Sequence, residues 1–277
     1  MNPTIAVLLT CHNRKDKTLQ CLTNLFVQQG LNVDFKFEVF LVDDASTDGT
    51  SEAVKSQFHS VKIIKGDGNL FWNRGMRLAW ETAAASKNFD YYLWLNDDTF
   101  LLTDALITML SGANINTIVC GSTYGLSNKK ATYGGYVQQK LIEPNTFLQQ
   151  CDYFNGNCVL ICRDVFEKIG LLDSFFHHAV GDFDYSLRAK KAGVQFYVAS
   201  KYIGTCENHV SLPKWRDPKV NLSARLNNLY SATSGCYPFE FFIYDRRHNG
   251  VLLAVRRFIT LHLRALFPYL WFKNLNT

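Results

Sequence analysis

Short apolar runs alternate with amphipathic stretches through the first half of the chain. Ile5–Thr10 is apolar and ends in the polar Cys11-His12-Asn13-Arg14. Asp16–Gln29 then shows helical spacing through Leu19, Leu22, Leu25 and Phe26, with Gly30 as a stop. Phe37–Val42 reads as a second strand, ending at Asp43-Asp44, and Ser46-Thr47-Asp48-Gly49-Thr50 supplies turn and cap chemistry for a helix reaching Phe58. Val61–Lys65 reads as a third strand, Asn73–Ser86 as a helix and Tyr91–Leu95 as a fourth strand. Thr103 or Asp104 caps a further helix, which Gly112 ends. This alternation predicts βαβ units and an α/β fold with a mostly parallel sheet flanked by helices.

Parallel strands carry their polar ends to one edge of the sheet. Here those ends are Thr10-Cys11-His12-Asn13, Asp43-Asp44 and Asn96-Asp97-Asp98. Ligands of open α/β sheets bind at such an edge. Adjacent carboxylates there suit Mg²⁺, which is held by one or two carboxylates plus substrate phosphates. The same triplet before Thr99 also suits a turn or a helix cap. No GxGxxG follows the first strand and no GxxxxGK[ST] is present, so phosphate handling is expected to be metal-assisted.

Composition narrows the class. The 277 residues, 47% hydrophobic and 14% aromatic, are enough for one full core with appendages. No run approaches the roughly 18 apolar residues of a membrane span. Met1-Asn2-Pro3-Thr4 lacks a basic segment, and Ile5–Leu9 is short for a signal peptide. The eight cysteines show no zinc spacing; Cys158 and Cys162 are the nearest pair, and the set reads as core filler in a reducing compartment. A cytoplasmic globular protein is expected.

The net charge of +5 resides at one end. No Asp or Glu follows Asp245, whereas Arg246, Arg247, Arg256, Arg257, Arg264 and Lys273 do. Of 29 basic residues, 23 remain against 24 acidic ones, which argues against a nucleic-acid binder. Gly250–Phe272 reads as a basic amphipathic helix ending near Pro268. Such a helix either lies on an anionic membrane surface at the inner face of the cell membrane, or packs on the main domain or a second subunit of a homo-oligomer.

Four blocks, in order, carry a family resemblance: Ile5–Arg14, Leu41–Thr50, Leu95–Asp98, and Asn155–Ile161 with Gly181–Arg188. Together they resemble the family-two inverting glycosyltransferases of GT-A fold, across residues 4–210. Gly66–Met76 is similar to a rhamnosyltransferase-like branch. The resemblance implies a GT-A-like, Rossmann-related catalytic domain over residues 1–215, with a nucleotide-sugar half (1–112) and an acceptor half (113–215). Residues 216–277 would form a helical, basic C-terminal appendage.

The resemblance also assigns residues. Asp98 would bind Mn²⁺ or Mg²⁺, with His209 completing the coordination, and Asp97 would lie near the donor ribose or sugar. Asp44 would contact a pyrimidine base, while Thr10, His12, Arg14, Asn69 and Gly156 frame the nucleotide-sugar pocket. Trp72 would offer a platform for a sugar ring and Arg74 would reach a phosphate. Asp182 matches the base that takes the acceptor proton. Relatives often carry Glu before it, and this chain has Gly181. Asp182 and Asp184 also suit a helix N-terminus on electrostatic grounds alone. His209 also has a bland reading as a surface residue, and Trp72 as a core aromatic.

The expected activity is transfer of a sugar from dTDP-rhamnose or a UDP-sugar to a hydroxyl of a surface polysaccharide or lipid-linked oligosaccharide. A sugar nucleotidyltransferase and an inactive glycosyltransferase-like scaffold are the alternatives.

Overall fold

The computed structural model describes residues 2–208 and 212–272. In chain order its main elements begin β1 (Thr4–Cys11), α1 (Lys15–Phe26), β2 (Lys36–Asp43), α2 (Thr50–Gln57), β3 (Lys62–Lys65), α3 (Phe71–Ser86) and β4 (Tyr91–Leu95). The predicted strands and helices of this half are all present. Helix α1 stops at Phe26, short of Gln29, because Gln28 turns inward and its side chain donates to Leu102 O and accepts from Leu106 N. Gly30 then makes the turn at a φ of 78°.

The second half is richer in strands. It contains β5 (Phe100–Leu101), α4 (Ala105–Leu110), β6 (Thr117–Tyr124), β7 (Ala131–Tyr133), β8 (Gly135–Val137), β9 (Lys140–Leu141), β10 (Gln149–Gln150), β11 (Tyr153–Phe154), β12 (Cys158–Cys162), α5 (Arg163–Ile169), α6 (Gly181–Lys191) and β13 (Gln195–Thr205). The main sheet runs β10-β13-β6-β12-β4-β1-β2-β3. Strands β4, β1, β2 and β3 are parallel, as are β6 and β13, and β12 enters antiparallel between β4 and β6. The sheet is therefore mixed, with helices on both faces.

Two apolar layers clamp it. Trp80, Trp94, Tyr185 and Phe154 pack on one face, and Leu22, Leu25, Leu41 and Leu160 on the other. Each layer takes alternate residues of β1: Ala6 and Leu8 face the first, Ile5, Val7 and Leu9 the second. Seven of the eight cysteines are buried and all are free thiols, consistent with core filling.

The C-terminal segment forms α7 (Leu222–Leu229), α8 (Pro238–His248), α9 (Val251–Leu266) and α10 (Tyr269–Phe272) around a small core of Trp215, Leu229, Leu261 and Ala265. It is pinned to the main body by charge. Asp184, buried on α6, accepts from Arg247 Nη1 at 2.6 Å and pairs with His248 Nε2 at 2.8 Å, while Glu240 accepts from the backbone N–H of His177 at 2.8 Å.

Candidate active site

A cavity of about 720 Å³ opens where β1, β2 and β4 end, and the N-terminus of α6 closes its far side. Its wall includes Thr10, His12, Arg14, Asp44, Trp72, Asp97, Asp98, Gly156 and Asp182, each singled out from the sequence. Parallel pairing explains the gathering. Cys11 lies in register with Asp43, and Leu8 with Trp94, so the three polar strand ends share one edge. Asn69 and Arg74 are not in the wall. Asn69 is exposed in the loop before α3, and Arg74 donates from Nε to Ser174 O at 2.9 Å. Arg74 thereby holds the loop at Ser174. His209 lies outside the described residues.

The guanidinium of Arg14 bridges the two carboxylates of the β4 end. Its Nη1 donates to Asp97 Oδ1 at 2.8 Å and its Nη2 to Asp98 Oδ2 at 2.5 Å. Asp97 is buried, and burial pushes its carboxyl up to about 7 against the opposing pull of Arg14. Its second oxygen is buried without a hydrogen-bond partner. Asp98 is more exposed, and among the described residues its other oxygen meets only the weak Sγ donor of Cys206, at 3.8 Å. Two hard oxygens with spare acceptor capacity, at the mouth of a cavity sized for a nucleotide, fit a divalent cation that completes its shell with phosphate and water. Among the described residues no group of three His, Cys, Asp or Glu side chains is placed to hold a metal by itself.

Asp44 shapes the opposite wall. Its Oδ1 accepts from the N–H of Gly68 at 2.7 Å, and its Oδ2 from Leu70 and Phe71, each at 3.0 Å. Three backbone donors occupy three of its roughly four lone-pair sites, so much of its work is to fold residues 66–71 into the cavity rim. That turn carries strain: Phe71 begins α3 with a φ of 55°. Beside it, Gly75 lets α3 approach Thr10, because a Cβ there would overlap the Thr10 hydroxyl.

Trp72 and Asp182 meet across Gly156. The indole Nε1 of Trp72 donates to Asn96 Oδ1 at 2.6 Å. Gly156 donates its N–H to Asp182 Oδ2 at 2.8 Å, and a Cβ on it would overlap the Trp72 ring. The other carboxylate oxygen of Asp182 accepts from Phe183 N at 2.9 Å. Burial nevertheless raises the Asp182 carboxyl to about 6, these backbone donors and its place in the first turn of α6 acting against the rise. Val180 precedes it at a φ of 57°, a conformation costly for a β-branched residue, which aims the start of α6 at the cavity.

The sequence reading missed several wall residues. Asn96 and Asn157 stood inside recognised motifs without a role. Tyr133 and His178 carried no signal in their surroundings; burial lowers the His178 imidazole below its usual range. Thr233, Gly235 and Phe241 come from the C-terminal segment, which the sequence placed outside the catalytic domain. Ion pairs at Asp184 carry that segment to the cavity, and no local pattern announces them.

A profile described as "Glycosyl transferase family 2" matches residues 6–170, more than half of the chain. The chain belongs to glycosyl transferase family 2. No curated protein matches it. Among solved structures, residues 1–349 of S. aureus TarS superpose with a TM-score of 0.55 at 13% identity, over 95% of this chain and 72% of that one. A mannosyltransferase, PcManGT from Pyrobaculum calidifontis in complex with GDP-Man and Mn2+, gives 0.55 at 14% identity, over 98% of this chain and 87% of that one. At such identities the superpositions establish a shared GT-A fold. Family membership makes the chain a glycosyltransferase.

Proposed function

We propose that this glycosyltransferase inverts the anomeric centre of a pyrimidine nucleotide-diphosphate sugar, dTDP-rhamnose or a UDP-sugar, with Asp182 as the base. The observation that carries the reading is the position of Asp182. It is a carboxylate with a raised pKa, held by two backbone N–H groups in the wall of the cavity that also holds Asp97 and Asp98. A general base works best when its pKa lies near the operating pH. The acceptor hydroxyl gives its proton to Asp182 as its oxygen bonds to the anomeric carbon. The bond from that carbon to the diphosphate breaks, and the nucleoside diphosphate leaves.

Asp98, with Asp97 beside it, would hold Mn²⁺ or Mg²⁺; His209 would join them. When bound, such a cation supplies Lewis-acid stabilisation of the departing diphosphate. A fold neighbour carrying a nucleotide sugar and Mn2+ supports this use of the edge. Arg14 offsets part of the charge of the two carboxylates in the free protein and lies close to any phosphate that binds there. Thr10, His12 and the Asp44-anchored rim frame the nucleotide, with one lone pair of Asp44 left for a base N–H. Asn69 stands at the same rim. Trp72 offers its ring to the sugar. The acceptor reads best as a hydroxyl of a growing surface polysaccharide or lipid-linked oligosaccharide.

Thermal-shift measurements with nucleoside diphosphates and nucleotide sugars, with and without Mn²⁺ or Mg²⁺, test the site, because a ligand of the native state raises its apparent stability. Metal-dependent stabilisation by dTDP or UDP that Asp98→Ala abolishes is the expected result. A response to triphosphates alone would point to nucleotidyl transfer, and no response to any nucleotide would point to a scaffold.

A further inference from the structure

Helix α9 is amphipathic the wrong way round for a helix bounded by water. At about 100° per residue, Ala254, Leu261 and Ala265 form the side buried against α7 and α8. Leu252, Ile259 and Leu263 lie on the opposite side, where a surface helix ordinarily carries charge. Leu252 is 89% exposed and Ile259 51%, and Val255 and Leu266 flank them in the open. Beyond Pro268, Tyr269 and Leu270 are each 70% exposed as well. The Tyr269 hydroxyl donates to Pro218 O at 3.2 Å, which ties the start of α10 to the loop before α7. An exposed apolar strip of this kind marks an interaction surface.

Charge indicates what covers it. Arg256 is exposed within the strip, and no acidic residue follows Asp245 in the sequence. Asp245 is itself buried and paired with Arg257 at 3.0 Å. Two copies of the strip meeting about a two-fold axis would oppose Arg256 to Arg256 with no carboxylate from these helices to answer. An anionic lipid surface answers both features, taking the aliphatic side chains below its headgroups and the guanidinium among its phosphates. No described helix is long and apolar enough to cross a membrane, so α9 would lie in the plane of the interface.

We propose that the outward strip of α9 and α10 docks the protein on an anionic bilayer. The same C-terminal segment walls the cavity through Phe241, which also packs on the small core beneath α9. Docking therefore holds the cavity close to a lipid surface; its use for a lipid-linked acceptor rests on the transfer reading above, whereas docking itself does not.

Co-sedimentation of the full chain with phosphatidylcholine vesicles, with and without phosphatidylglycerol, tests the proposal without any activity assay. Binding should require phosphatidylglycerol and weaken with salt. The double variant Leu252→Asp, Ile259→Asp should bind about tenfold less or worse while melting like the parent, since both positions are exposed. Arg256→Glu, at an exposed position, should lower binding to the mixed vesicles as well. Equal binding by parent and both variants, or no preference for anionic vesicles, would overturn it. So would a parent dimer in sedimentation velocity that the double variant converts to monomer, because the strip would then be a contact between copies.

Discussion

Gly181 and Asn73 are two halves of one contact: a Cβ on residue 181 would overlap Oδ1 of Asn73. Asn73 cannot easily retreat. It is buried, its Nδ2 donates to Asp173 O at 2.7 Å and to Phe176 O at 2.8 Å, and its N–H donates to His177 O at 2.9 Å. Where relatives often place Glu, this chain has spent the space on an asparagine that ties α3 to the loop leading into Asp182. Gly181→Ala should therefore cost about 1–3 kcal/mol, the range of an overpacked interior. Urea unfolding measures it. Transfer should fall as well, because the strain is delivered one residue from Asp182, the proposed base.

With Asp182 as the proposed base, turnover should meet an acid limit. Only its ionised form accepts a proton, and its pKa is pushed up to about 6 by burial. The rate should rise with pH through about 6 and level off above it. A pH profile of kcat/KM in the free enzyme measures this directly. A limb near 4, the range of an ordinary carboxylate, would mean that the base is another group or that Asp182 is well solvated.

Asp184 is a structural anchor for the C-terminal segment. Burial pushes its carboxyl up, but hydrogen bonds from His248, Arg188 and Arg247 outweigh that and hold it below its usual value. A depressed carboxylate pKa contributes stability that is complete above the unfolded value of about 3.9 and is lost as pH falls through the folded one. Asp184→Ala should cost about 3 kcal/mol at neutral pH, since it removes a buried carboxylate from three hydrogen-bonding partners, although Arg247 keeps Asp173 at 2.9 Å. The difference between parent and variant should shrink in acid, which thermal melts at several pH values would record.

Arg74 should behave as a loop brace. Its Nε donates to Ser174 O at 2.9 Å, outside the cavity wall. Arg74→Ala should cost about 1 kcal/mol of stability and leave donor KM within about twofold of the parent. Donor titrations of the two proteins decide it; a loss of about tenfold or more in donor affinity, some 1.4 kcal/mol, would return Arg74 to the phosphate.

Much of this edge was legible in the sequence because parallel pairing is encoded by the alternation of strands and helices. Once β1, β2 and β4 are parallel, Thr10, Asp44, Asp97 and Asp98 must share an edge. The direction of β12 was not legible. Cys158–Cys162 is buried at every position, so it shows no alternation from which its facing could be read. Arg74 and Asn69 sit in a motif-like run, yet which side chain of a tight turn faces inward depends on the three N–H groups that Asp44 collects. The contribution of Phe241 to the cavity depends on ion pairs sixty residues apart in sequence, such as Asp184 with Arg247, which no local period reveals.

The most direct test is sugar transfer by Asp182→Asn compared with the parent, using whichever nucleotide sugar stabilises the parent with metal present. Asn is nearly isosteric and keeps one acceptor for the Gly156 or Phe183 N–H, so donor affinity should persist. Turnover should fall by about 10²–10⁴-fold. Full turnover with unchanged pH dependence would contradict the assignment of Asp182 as the base.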